Sequence, residues 1–102
     1  MSYNFSELDT LTNRLIDEEI GTYDLPYYIE PLLEGATLID LLKAYLNDAI
    51  THKNASRIEC AIILAGALGE EKKLLPQYEN LLLEDWHHSH EDLVDIIESY
   101  GN

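Results

Sequence analysis

Three histidines and a tryptophan stand among acids in one block, Glu84–Asp85–Trp86–His87–His88–Ser89–His90–Glu91–Asp92–Leu93–Val94. Imidazole beside carboxylate is the pairing that holds transition metals or moves protons. His87 and His90 are three apart and His87 and Glu91 four apart, so on a continuous helix they would converge on one side. Ser89 interrupts that helix. With Asp92 three residues on, it reads as a capping pair, so His87 and His88 precede the helix and His90 begins it. The zinc-protease pattern needs a second histidine four residues after the first, and His90–Glu91–Asp92–Leu93–Val94 supplies a valine. The block therefore predicts capping and a helix junction, with no metal and no cofactor. Trp86 is expected to wedge between two helical pairs, its indole N–H needing a partner.

Other catalytic patterns are weaker still. Cys60 lies in the apolar run Cys60–Ala61–Ile62–Ile63–Leu64–Ala65, where burial would raise its pKa and leave an unreactive thiol. The glycines stand singly, and no Gly-Lys-Ser or Gly-Lys-Thr occurs to cradle a phosphate. Carboxylates are plentiful, but acid–base catalysis needs two of them in one cleft with separated pKa values. Enzyme is the least supported class, and no catalytic residue is assigned.

Binding is better supported. Tyr23 and Tyr27 sit with Asp24 and Glu30, and Trp86 follows Glu84 and Asp85. Aromatics interleaved with acids suit a partner rich in Lys and Arg, through charge-assisted hydrogen bonds and cation–π contacts. Two candidate partner-binding surfaces result: Tyr23, Asp24, Tyr27 and Glu30, and Glu84, Asp85, Trp86, His87, Glu91, Asp92 and Asp95. Tyr28, Tyr45, Tyr78 and Tyr100 fall on apolar stripes and are expected in the core.

Charge points the same way. Twenty acids face six bases, for a net charge of −14. Residues 1–50 carry −8, residues 51–73 carry +1 and residues 74–102 carry −7. Such a field repels nucleic acid and anionic membranes and speeds encounter with a cationic protein. No run approaches the ~20 apolar residues of a membrane span, and the N-terminus lacks the pattern of a signal peptide. A single cysteine does not call for an oxidising compartment, so a soluble cytoplasmic protein is expected.

Helices must position these groups. Leu38, Leu41, Leu42, Tyr45, Leu46, Ala49 and Ile50 recur at three-then-four spacing, as do Leu8, Leu11 and Leu15, then Leu25, Tyr28, Ile29 and Leu32, then Leu93, Ile96, Ile97 and Tyr100. Two-residue alternation is not sustained anywhere, and Asn-Gly or Asp-Gly hairpin turns do not occur. Ser6 with Asp9, Thr37 with Asp40, Ser56 with Glu59 and Ser89 with Asp92 mark helix starts, and Asp24–Leu25–Pro26 marks another. Gly21, Gly35, Gly69 and Gly101 mark ends. One all-α domain spanning residues 1–102 is predicted, with about six antiparallel helices near 6–20, 25–34, 37–51, 55–68, 71–84 and 90–100. The fourth is apolar almost all round, with small residues at Ala61, Ala65 and Gly66, and should be central.

The segment from Asn54 to Tyr100 resembles HEAT-type helical repeats. Arg57 and the alanine-rich helix ending Ala67–Leu68–Gly69 match a first repeat helix, and Leu74–Leu75–Pro76 through Leu82–Leu83–Glu84–Asp85 match a second. The tryptophan–histidine block is similar to one in small bacterial immunity proteins with HEAT-like folds. That resemblance implies stacked helical hairpins that neutralise the toxin domain of a polymorphic or contact-dependent growth-inhibition system. The expected partner is a basic toxin domain, with a nuclease fitting best because its phosphate-binding cleft is cationic. The alternative is a scaffold or regulatory adaptor that docks a helical partner in an apolar groove.

Overall fold

The computed structural model describes residues 3–100, which form six α-helices: α1 (Phe5–Ile16), α2 (Leu25–Ile29), α3 (Leu38–Thr51), α4 (Ala55–Leu68), α5 (Leu75–Leu81) and α6 (His90–Tyr100). Single 3₁₀ turns extend α2 through Glu30–Leu32 and lead into α5 through Glu71–Leu74. There is no strand among the described residues, and the all-α expectation holds.

The helix α4 is apolar on nearly every side, and it packs against α1, α3 and the turn that leads into α5. Ile58, Ala61, Ile62, Leu64 and Ala65 are buried. Burying each large aliphatic side chain favours the fold by about 1.5–3 kcal/mol, which makes α4 the natural axis of the core. Gly66 serves differently from Ala61 and Ala65. It faces outward, and a Cβ there would lie 3.2 Å from Glu71 Oε2.

Directions follow from side-chain pairs. Arg57 at the start of α4 meets Asp48 near the end of α3, while Leu38 at the start of α3 shares a groove with Leu68 at the end of α4. The two helices are therefore antiparallel. So are α5 and α6, since His90 contacts Glu84 just past α5 and Tyr100 reaches Glu71 just before it.

Boundaries differ from expectation where charge and capping intervene. The helix α1 stops at Ile16 rather than residue 20, because Asp17, Glu18 and Glu19 would load acids onto the negative end of the helix dipole. Glu18, at φ +62°, makes the left-handed exit expected of Gly21, and Ile20 turns back into the core. Gly35 and Gly69 do adopt the left-handed conformation, with φ +85° and +73°. Gly101 lies outside the described residues.

The caps were half legible. Thr37 accepts from the Asp40 N–H as expected. Asn4 and Asn54 replace Ser6 and Ser56 as caps, accepting from the Glu7 and Arg57 N–H groups; α1 starts one residue early, while α4 starts at residue 55 as expected. Asp24 makes no capping bond to α2, and its carboxylate accepts from the upstream Gly21 N–H. At α6 the Ser89 carbonyl takes the Leu93 N–H, but its hydroxyl is buried without a hydrogen-bond partner.

Candidate functional site

The α1–α2 connection holds the first candidate set. Tyr23 and Tyr27 are 94% and 78% exposed, and Asp24 and Glu30 are exposed with them. Leu25 and Ile29, buried at 0% and 2%, anchor the inner side of this short helix, so Tyr27 is left on its outer side, with Tyr23 exposed on the turn before it. Tyr28 departs from expectation. It is 42% exposed rather than core, because five helical residues offer one narrow buried stripe and Leu25 and Ile29 fill it. The Arg14 guanidinium lies over its ring, 5.1 Å from the centroid.

Beside this set runs an apolar groove of about 410 Å³, walled by Pro26, Ile29, Leu33 and Leu38 on one side and Ala67 and Leu68 on the other, with the exposed Glu30 also on its lining. It forms because α2 is short. The chain turns through the 3₁₀ segment and Glu34–Gly35 before α3, so the C-terminal end of α4 is only partly covered.

The second candidate set spans the connection between α5 and α6 and the start of α6. Glu84, Asp85, Glu91, Asp92 and Asp95 are exposed and Trp86 is half-buried. His87, expected on the binding surface, is instead buried at 2% exposure. Its Nδ1 accepts from the Ser89 N–H at 3.1 Å, which assigns the other ring nitrogen as donor to the Leu81 carbonyl at 2.7 Å. Trp86 meets its edge at 5.3 Å and His90 stacks on it at 4.2 Å. His90 Nε2 in turn donates to the Glu84 carbonyl at 2.5 Å. The histidine spacing that suggested a ligand set thus builds a rivet closing the loop, with both His87 nitrogens committed to backbone. Replacing His87 with alanine is expected to cost about 1–2 kcal/mol, from two lost hydrogen bonds and a cavity beneath Trp86. Urea unfolding measures it, and an unchanged midpoint would contradict the rivet.

The two sets sit on separate helical pairs, since α2 packs on α1 and α6 packs on α5. Tyr100 is 43% exposed rather than core, its hydroxyl donating to Glu71 Oε1 at 3.1 Å. Tyr45 and Tyr78 are buried as expected.

Sequence reasoning missed one polar cluster. Arg57 closes a fork on Asp9, with Nε to Oδ1 at 3.0 Å and Nη2 to Oδ2 at 2.6 Å, and its Nη1 donates to Asp48 Oδ2 at 2.6 Å. The Tyr45 hydroxyl also donates to Asp9, and the guanidinium lies over the Phe5 and Tyr45 rings at 5.9 and 5.6 Å. The hydrogen bond to Asp9 is the main reason the Arg57 pKa is raised. Burial, then the bond to Asp9, pushes the Tyr45 hydroxyl up. Since every branch of Arg57 is engaged, the cluster acts as a clamp across α1, α3 and α4. The one sequence signal was Arg57 as the sole base of a largely apolar helix. Nearby Cys60 is half-buried, and burial pushes its thiol up.

The geometry defines a small α-helical domain with exposed aromatic and acidic groups beside an apolar groove. Comparison of the chain with protein-family models, with curated proteins and with solved structures returned no match.

Proposed function

We propose that this chain is a non-enzymatic immunity protein, built of HEAT-like helical pairs, that acts in the cytoplasm by binding a basic toxin domain and covering its active-site cleft. The observation that carries the reading is the exposure of Tyr23 and Tyr27 beside Asp24 and Glu30. Residues 15–42 around them hold seven acids and no Lys, Arg or His. Exposed tyrosines cost little side-chain entropy to immobilise and carry much of the energy at interfaces, while acids steer a cationic partner and pair with it. A nuclease fits best as the toxin, because a cleft that holds phosphates also attracts carboxylates.

The test is growth rescue. The reading expects a large secreted protein with a variable C-terminal domain to be encoded beside this gene; that domain, expressed alone, should arrest growth, and co-expression of this chain should restore it. Growth that stays arrested despite a soluble, folded chain would sink the reading. With the purified pair, reversing Asp85 or Asp92 to Lys should slow association at low salt, by roughly threefold, and flatten its salt dependence. Equal binding at low and high ionic strength would rule out the electrostatic part of the mechanism.

A second reading has its own support. The apolar groove beside α2 suits an adaptor that docks a partner helix, with affinity that varies little with salt.

A further inference from the structure

The groove and the acidic surface share α2. Pro26, Ile29 and Glu30 line the groove, while Tyr23, Asp24 and Tyr27 stand beside them on the exposed side of the same turn and helix. From the charge around this apolar slot, we infer that the groove receives an apolar anchor from a cationic amphipathic segment of the partner protein, whose flanking Lys or Arg side chains pair with Glu30 and its acidic neighbours. This rests on the proposed binding of a basic protein and adds how that partner docks.

Three observations support this occupant. The slot is lined mainly by aliphatic groups, and its volume of about 410 Å³ suits one or two large apolar side chains. One wall has one sign: Asp24, Glu30, Glu34 and Asp40 are exposed on the segment that forms it, and that segment carries no base. Past the other wall, the turn after α4 carries the exposed Lys72 and Lys73, of which Lys73 is paired with Glu70 at 3.1 Å. A second copy of the chain is a poor occupant, because each copy carries −14 and an acidic rim would face another acidic surface. A cationic amphipathic helix offers what the site lacks, apolar anchors at i, i+3 and i+4 with Lys on either side.

The experiment uses a synthetic helical peptide with leucines at i, i+3, i+4 and i+7 and lysines elsewhere. Its controls are a scrambled peptide of the same composition and a version with Glu in place of Lys. The Leu–Lys peptide should shift the amide NMR signals of Ile29, Leu33, Leu38, Ala67 and Leu68 and bind about tenfold tighter than the scrambled peptide. The Leu–Glu version should not bind. Ala67→Leu fills the slot with a good helix former and should weaken binding about tenfold, and Glu30→Lys should weaken it about threefold at low salt. Both variants are checked for an unchanged unfolding midpoint, with Ala67→Val as the milder filling variant if Ala67→Leu does not fold. Shifts spread over all the acidic surfaces, equal binding of the scrambled peptide, or undiminished binding by a folded Ala67 variant would overturn the inference. Concentration-dependent dimers in sedimentation, with shifts confined to the groove, would also overturn it by making a second copy the occupant. Growth rescue separates the two proposals. If the wild type and the folded Ala67 variant rescue equally, the groove inference fails and the immunity reading stands. If the peptide binds in the groove but no toxin is neutralised, the reverse holds.

Discussion

Replacing Arg57 with alanine is expected to cost about 3 kcal/mol, the largest loss of stability for any single polar substitution in this chain. Removing one partner from a buried ionic network typically costs 3–5 kcal/mol, because the remaining charges stay desolvated and unpaired. The lower end applies here, since the side chains of Arg57, Asp9 and Asp48 keep 18%, 32% and 24% of their exposure. Without the guanidinium, two carboxylates lose their shared cation and the Phe5 and Tyr45 rings lose the group that spans them. The unfolding midpoint should fall by roughly 10–20 °C. Arg57→Lys keeps the charge but loses the fork on Asp9, so it should recover only part of the loss.

The same cluster sets an acid-side dependence. Burial pushes the Asp9 carboxyl up, but hydrogen bonds from Arg57 and Tyr45, together with the Arg57 charge, outweigh it and hold the group below its ordinary value of 3.8. A carboxyl whose pKa is lower in the folded than in the unfolded state adds stability that is fully present above the unfolded value. That stability is lost as pH falls through the folded one. The gap between wild type and Arg57→Ala should therefore be widest near neutral pH and narrow as pH drops from about 5 to about 2. Urea unfolding across that range measures it, and a gap independent of pH would mean Asp9 is not the carboxylate that Arg57 stabilises.

The double replacement Tyr23→Ala and Tyr27→Ala should do the opposite, sparing stability and removing binding. Both side chains lie almost wholly in solvent, and substitutions at such positions usually stay within ~0.5 kcal/mol of wild-type stability. At an interface, two aromatic anchors together contribute about 3 kcal/mol, so affinity for the basic partner should fall about hundredfold, mostly through faster dissociation. Tyr28→Ala is the informative contrast, because its ring lies beneath Arg14 and its loss should show in stability as well. Isothermal titration alongside thermal unfolding separates the two effects. Unchanged affinity in the folded double variant would remove the α1–α2 surface from the interface.

Much of this architecture could be read from spacing alone. The three-then-four recurrence located α3 and α6 closely, and the all-round apolar character of α4 marked it as central. The errors were local. Asn4 and Asn54 captured the caps assigned to Ser6 and Ser56, because an asparagine two residues upstream already offers an acceptor to the first free N–H groups. Tyr28 and Tyr100 followed the stripe but not the core, since a short helix and a final helix leave the edge of a stripe in solvent. The residues of the two acidic surfaces are exposed, apart from the half-buried Trp86 and the buried His87.

By itself, then, the sequence determined what repeats or sums along the chain: helices from periodicity, charge from composition, and the acidic stretches on either side of a near-neutral middle. Only the tertiary structure decided which distant residues meet. It brought Asp9 and Asp48 onto Arg57 across 48 and nine positions of sequence and set α2 beside the end of α4 to open an apolar groove. It also turned His87 inward as a rivet rather than outward on the binding surface. The physical reason is common to all three. Periodicity is a property of neighbours along one helix, whereas hydrogen-bond pairing and shape depend on how helices pack, and many sequences of the same pattern pack differently.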